Sequence, residues 1–174
     1  MKTSLALVGF MGTGKTVVAK ALARRLNKEF IELDSLIEEK AGKRIPEIFQ
    51  QDGEPAFRRL ETKVTGQVAG RKNAVIAGGG GIVLNNINIE YLKKECVIVY
   101  LTASPEIILK RTVGAKNERP LLEVADKAQR VRELLKQRQP LYERAADITI
   151  DTSELNINSV VKQVIGELKD ESFH

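Results

Sequence analysis

Short apolar strands alternating with helical segments predict a three-layer α/β/α fold around a central parallel sheet of about five strands. Two observations carry this reading. Cys96–Leu101 (Cys-Val-Ile-Val-Tyr-Leu) is apolar throughout, as a strand covered on both faces must be. The first strand also runs through a glycine-rich turn into a segment with helical spacing, which is how a βαβ unit begins.

The first strand is expected over Lys2–Val8 and the first helix over Lys15–Leu26, where Val17, Val18, Ala21, Leu22 and Leu26 recur near the helical period. Phe30–Leu33 reads as a second strand ending at Asp34. Helical pattern follows through Leu36, Ile37, Ile45, Ile48 and Phe49, interrupted by Gly42 and Pro46, and resumes over Phe57–Ala69. Ala74–Ala77 is a buried strand that runs into Gly78–Gly81. Ser104-Pro105 starts a helix, with serine as cap and proline in the first turn. Thr112–Glu123 mixes charges with a proline and reads as a mobile loop. Ala125–Gln139 is helical, Asp147–Asp151 the last strand and Ser159–Leu168 the last helix. With no repeat, linker or low-complexity tract, the 174 residues are expected to form one domain, 1–174.

Composition excludes several functions. No run is long and apolar enough to span a bilayer, so no membrane partner is expected. The start, Met1-Lys2-Thr3-Ser4, lacks a signal-peptide pattern. A lone Cys96 forms no internal disulfide, which fits the cytoplasm. His174 is the only histidine, so a Ser-His-Asp mechanism or a histidine-ligated metal is ruled out. The net charge of +5 resides between Lys110 and Arg144, where ten basic residues face five acidic ones. Without Trp or basic–aromatic interleaving, a local site for a small polyanion suits this better than nucleic acid. A solvated helix face is the plainer alternative.

Gly9-Phe10-Met11-Gly12-Thr13-Gly14-Lys15-Thr16 fits the phosphate-loop pattern without mismatch, between an apolar strand and an amphipathic helix. Such glycines let successive N–H groups face phosphate oxygens, and the helix N-terminus adds partial positive charge. Lys15 would reach the β- and γ-phosphates and Thr16 would ligate Mg²⁺, so the chain is expected to bind a nucleoside triphosphate.

Three further features belong near that cleft. Asp34 is placed to orient an acceptor hydroxyl or take its proton, or simply to cap a helix. Arg58 faces the cleft or forms an exposed i,i+3 pair with Glu61; Arg59, about 100° round the helix, cannot face the same way. Gly78–Gly81 permits close backbone approach to a ligand or is a flexible turn.

Together these residues resemble the bacterial-type shikimate kinases, in the nucleoside-monophosphate-kinase group of P-loop folds. The likeness runs from Thr3 to Thr152. It rests on the phosphate loop, Leu33-Asp34, Asp52-Gly53-Glu54 with Phe57-Arg58 and Glu61, the glycine run, Arg119-Pro120-Leu121-Leu122, and Arg138-x-Pro140-x-Tyr142. The resemblance implies a kinase that uses ATP with Mg²⁺ as cofactor to phosphorylate the 3-hydroxyl of shikimate, on the route to chorismate and the aromatic amino acids. It implies an ATP loop of Gly12, Thr13, Gly14, Lys15, Thr16 and Val17, with Thr16 as the Mg²⁺ ligand. Asp34 would hold the acceptor hydroxyl as base, within a substrate-binding region about 33–61. Arg58, Arg138 and the backbone of Gly79, Gly80 and Gly81 would clamp the shikimate carboxylate. Arg119 would reach the phosphates from a lid about 112–124, and Arg111 would stack on adenine. A monomer with no nucleic-acid partner is expected.

Two departures stand out. Glu32 occupies the place of a usual Asp, a possible metal contact through water, one methylene longer. Gly78 makes the run four glycines, expected to loosen the substrate turn. Phe49, Phe57, Cys96 and Tyr142 read as packing residues, and Lys127, Arg130, Arg132 and Lys136 as a solvated face. A gluconate or nucleoside-monophosphate kinase, a non-catalytic nucleotide module and a nucleic-acid-dependent ATPase are the competing functions.

Overall fold

The computed structural model describes residues 1–113, 126–154 and 156–170. Among them, β1 (Ser4–Val8), β2 (Glu29–Glu32), β3 (Ala74–Ala77), β4 (Cys96–Thr102) and β5 (Ile148–Asp151) form one parallel sheet in the order β2-β3-β1-β4-β5. The helices are α1 (Lys15–Leu26), α2 (Leu33–Ala41), α3 (Ile45–Asp52), α4 (Glu54–Val68), α5 (Asn86–Lys93), α6 (Pro105–Val113), α7 (Lys127–Ala145) and α8 (Ile157–Asp170).

Side-chain alternation along the strands divides the core in two. Leu5 aligns with Val75 on one side and Val97 on the other. With Leu7 and Val99 these residues pack on Val18 and Leu22 of α1 and Val160 and Val164 of α8. Ala6, Val8, Ile76 and Ile98 point the opposite way, onto Ile37, Ile48, Val64, Val131 and Leu134 of the other helices. Strands buried on both faces must be apolar at every position, which is why β1 and β4 read so plainly.

Several boundaries differ from the sequence expectation. The first strand starts at Ser4, and β2 ends at Glu32 because Leu33 already opens α2. Pro55 sits in the first turn of α4, which therefore starts at Glu54 rather than Phe57. A single 3-10 turn, Ile82–Leu84, and α5 were not anticipated; the Asn85 side chain caps α5 by accepting from the Ile87 N–H at 3.0 Å. Thr112 belongs to α6, not to a loop, and its hydroxyl donates to the Ile108 carbonyl at 2.9 Å. Residues 114–125, with Arg119 and nearly all of the expected lid, lie outside the described residues.

The largest correction is α7, which continues past Gln139 to Ala145 with Pro140 inside it. Proline deprives the Lys136 carbonyl of its helical donor. Lys136 and Pro140 both lie on the exposed side of α7, where a carbonyl without a helical donor is open to solvent and a proline is tolerated.

Ile98 lies at the centre of the sheet with no exposed surface. Ile98→Ala is expected to destabilise the fold by about 3 kcal/mol, read as a lower denaturation midpoint in urea.

Candidate active site

Neighbouring strands β1 and β3 send their connections opposite ways, β1 toward β2 and β3 across to β4. Where connections diverge like this, a parallel sheet leaves a crevice at its carboxyl edge. A cavity of about 560 Å³ opens there, with the Gly9–Lys15 loop on one wall and Gly78–Gly81 on the other.

The loop takes its shape from left-handed backbone at Gly12 (φ 80°) and Gly14 (φ 90°), a conformation costly for residues bearing Cβ. Gly14 is the N-cap of α1 and provides no side-chain cap, so the first-turn N–H groups are left for an anion. The Lys15 ammonium donates to the carbonyls of Gly9 and Phe10 at 2.8 and 2.9 Å, which holds it against the loop. Thr13 is buried, its hydroxyl donating to the Phe10 carbonyl at 2.8 Å, so its side chain braces the loop instead of lining the cavity. Val17 lines the cavity and is half exposed. Arg111 stands outside the cavity wall and donates to the carbonyls of Gly12 at 3.2 Å and Thr152 at 2.6 Å. It thereby ties the loop to the end of β5.

Below the loop, the Thr16 hydroxyl donates to Glu32 Oε1 at 3.2 Å, while Ser35 donates to Oε2 at 3.0 Å. The longer side chain of Glu32 therefore still reaches Thr16. A hydroxyl and a carboxylate are hard oxygen donors of the kind Mg²⁺ accepts. Among the described residues no group of three or more acidic, histidine or cysteine side chains could hold a metal unaided. This suits Mg²⁺, which takes most of its ligands from phosphates and water.

On the far wall, Arg58 lines the cavity while Arg59 is exposed. Its guanidinium is held from behind by Glu61 Oε1 at 3.1 Å and Glu54 Oε1 at 3.3 Å. The Arg58–Glu61 pair is therefore not an exposed helix pair: Glu61 is 1% exposed, and its Oε2 has no hydrogen-bond partner. Burial pushes the Glu61 carboxyl above the usual range, against the pull of Arg58. Asp34 is not the cap of α2, a place Glu32 takes; it lies in the first turn and lines the cavity. Burial raises its carboxyl too, with Lys15 and Arg58 pulling the other way.

None of Gly78–Gly81 has left-handed backbone, so flexibility is not why they are glycines. A Cβ on Gly79 would stand 3.1 Å from both Asp34 Oδ1 and Glu61 Oε2. One on Gly81 would land on the Arg58 guanidinium, and one on Gly80 would lie 3.6 Å from Arg138 Nη1. Gly78 corrects the expectation of a looser turn. It is buried, its N–H donates to the Leu7 carbonyl at 3.0 Å, and a Cβ there would meet Ile82 at 3.3 Å.

Arg138 comes from α7, is 3% exposed, and lines the cavity with its guanidinium carbon 6.0 Å from the Phe10 ring centre. Phe49 and Phe57, read from sequence as packing residues, both line the cavity, with ring centres 4.9 Å apart. Tyr142 does more than end a helix: its hydroxyl donates to the Gly80 carbonyl. Glu61 pairs with Arg58 at the i,i+3 spacing visible in the sequence, though buried, whereas Tyr142 acts on Gly80, 62 residues away, and its only sequence signal was its place in the motif around Arg138.

Gly81→Ala forces Arg58 away and leaves Glu61 buried without its cation, at a cost of about 2 kcal/mol in urea unfolding. The deficit is expected to shrink as pH falls, because the stranded carboxyl then takes a proton. An unchanged midpoint at neutral pH would contradict this packing.

The family model described as shikimate kinase matches residues 11–169. Among curated relatives, shikimate kinase of Caldanaerobacter subterraneus subsp. tengcongensis is 48% identical over 93% of this chain and 94% of its own. That of Pelotomaculum thermopropionicum is 41% identical over 98% of each. The solved structure of shikimate kinase from Acinetobacter baumannii in complex with shikimate superposes with a TM-score of 0.94 at 39% identity, over 100% of this chain and 97% of that one. With a family model over most of its length and relatives above 40% identity across nearly all of it, the chain belongs to the shikimate kinase family.

Proposed function

We propose that the cleft transfers the γ-phosphoryl group of ATP directly to the 3-hydroxyl of shikimate, giving shikimate 3-phosphate and ADP. The observation that carries this is the single cavity in which Lys15 and Thr16 lie across from Asp34, Arg58 and Arg138. Phosphoryl transfer demands positioning and charge neutralisation more than covalent chemistry, and these side chains supply both.

The loop from Gly12 to Val17 cradles the triphosphate, and Lys15 swings from the Gly9 and Phe10 carbonyls onto its outer oxygens. Thr16 and, through water, Glu32 hold Mg²⁺, which when bound offsets charge on the phosphates. Arg111, fixed to Gly12 and Thr152, stands on the side assigned to adenine, and Arg119 is assigned to the phosphates from the lid. Arg58 and Arg138, with the backbone of Gly79, Gly80 and Gly81, hold the shikimate carboxylate; planar guanidinium groups suit that task better than ammonium groups. Phe49 and Phe57 wall the ring. Asp34 orients the 3-hydroxyl and takes its proton as the phosphoryl group arrives. A covalent phospho-enzyme through cysteine is disfavoured, because Cys96 is fully buried in β4 and burial pushes its thiol up to about 12.

We further propose that the enzyme acts in the cytoplasm as a monomer. The cavity is complete within one chain, and no described helix is long and apolar enough to cross a membrane.

Asp34→Asn is expected to lower kcat by about 10² to 10⁴ while leaving the KM for ATP and shikimate within about threefold. The base works ionised, and burial raises its proton affinity. In the parent enzyme kcat/KM therefore falls with acidification, beginning above the ordinary aspartate range. Asp34→Asn loses that acid limb. An acid limb of the same midpoint in the variant would assign the titration to another group.

A further inference from the structure

Arg138 and Tyr142 lie one turn apart on the same face of α7, with Pro140 between them on the exposed side. The Tyr142 ring is fully buried and stacks on Tyr100, with centroids 5.1 Å apart and planes 22° from parallel. Its hydroxyl donates to the Gly80 carbonyl, beside which the Arg138 guanidinium stands: a Cβ on Gly80 would lie 3.6 Å from Arg138 Nη1. Tyr142 is not on the cavity wall, whereas Gly80, Gly81, Arg58 and Arg138 all are.

The Gly80 carbonyl and the Gly81 N–H belong to one planar peptide and point opposite ways. Anchoring the carbonyl fixes that plane and hence the backbone on both sides: Gly80 next to Arg138, and Gly81 against the Arg58 guanidinium. With no Cβ on any residue from Gly78 to Gly81, side-chain packing does not restrict this peptide. The flanking carbonyls are held by backbone, Gly79 by the Ile82 N–H at 3.2 Å and Gly81 by the Leu84 N–H at 3.0 Å, and Tyr142 anchors the Gly80 carbonyl between them. Burial pushes the phenol up, so the hydroxyl stays a donor at any working pH.

We infer that Tyr142 is a positioning residue for the acceptor carboxylate: by holding the Gly80 carbonyl, next to Arg138 and one residue from the Gly81–Arg58 contact, it sets the geometry of the clamp from outside the cavity. Preference for a carboxylate-bearing acceptor thus depends on a hydroxyl that touches no substrate. The inference rests on the reading that Gly80 and Arg138 bind that carboxylate.

Tyr142→Phe keeps the ring and its stacking and removes only the hydroxyl. The KM for shikimate is expected to rise about fivefold, the worth of one buried hydrogen bond, with kcat and the KM for ATP within about twofold. A shikimate analogue with a hydroxymethyl group in place of the carboxylate, measured by competition, should bind parent and variant within about twofold. An unchanged shikimate KM overturns the inference, and so does an equal loss for both acceptors, which would mark a merely structural role. Arg138→Met, assayed alongside, separates the two layers. If it raises the shikimate KM more than about tenfold while Tyr142→Phe leaves that KM unchanged, the clamp stands and the inference falls. If Arg138→Met changes nothing, clamp and inference fall together. Should Tyr142→Phe not fold by circular dichroism, 3-fluorotyrosine at 142, a stronger donor of nearly equal volume, carries the test. A lower shikimate KM supports the inference and an unchanged one overturns it.

Discussion

Two glycine-rich loops face each other across the crevice between β1 and β3, and the rest of the site is built on that approach. A parallel sheet supplies the crevice wherever connections from adjacent strands diverge. Its width depends on glycine. At Gly12 and Gly14 the requirement is left-handed backbone, which turns N–H groups toward an anion. At Gly79 and Gly81 the requirement is space, because a Cβ on Gly79 would crowd Asp34 and Glu61 at 3.1 Å and one on Gly81 would stand where the Arg58 guanidinium is. One loop thus turns its backbone toward the crevice, and the other lets side chains from distant helices converge.

Charge balance in the cleft follows from that convergence. Arg58 is tethered by Glu54 and Glu61, so little side-chain freedom remains to be lost when it meets a carboxylate. Glu61 offsets the positive charge from behind, in a buried position that raises its own proton affinity. Burial raises the proton affinity of Asp34, Glu32 and Glu38 add to that, and the cations of Lys15 and Arg58 oppose it.

Much of this was legible in the sequence, for reasons that differ by residue. The phosphate loop and its helix are set by local backbone geometry, so a contiguous motif with flanking periodicity was enough to place them. The central strands were legible because burial on both faces removes every polar residue from them. Thr13 and Arg111, expected to touch ATP, are both seen bracing the loop, contacts for which the sequence carried no signal. Helix α7 escaped because proline ordinarily ends a helix, and only exposure of Lys136 and Pro140 shows why this one continues. Helix α5 has eight residues and weak patterning, and its cap at Asn85 is a local contact easily lost among several asparagines. The reason for four glycines was not legible at all, since it lies in atoms of α2, α4 and α7 that only the fold brings together.

The most direct measurement is ADP release in a coupled assay with Mg-ATP, with shikimate, gluconate or AMP as acceptor. Turnover that depends on shikimate and is absent with the other two is the result expected if Arg58, Arg138 and Asp34 are spaced for the carboxylate and 3-hydroxyl of shikimate. Equal or faster turnover with gluconate or AMP would contradict that assignment, and ATP binding with no acceptor-dependent release would contradict catalysis itself.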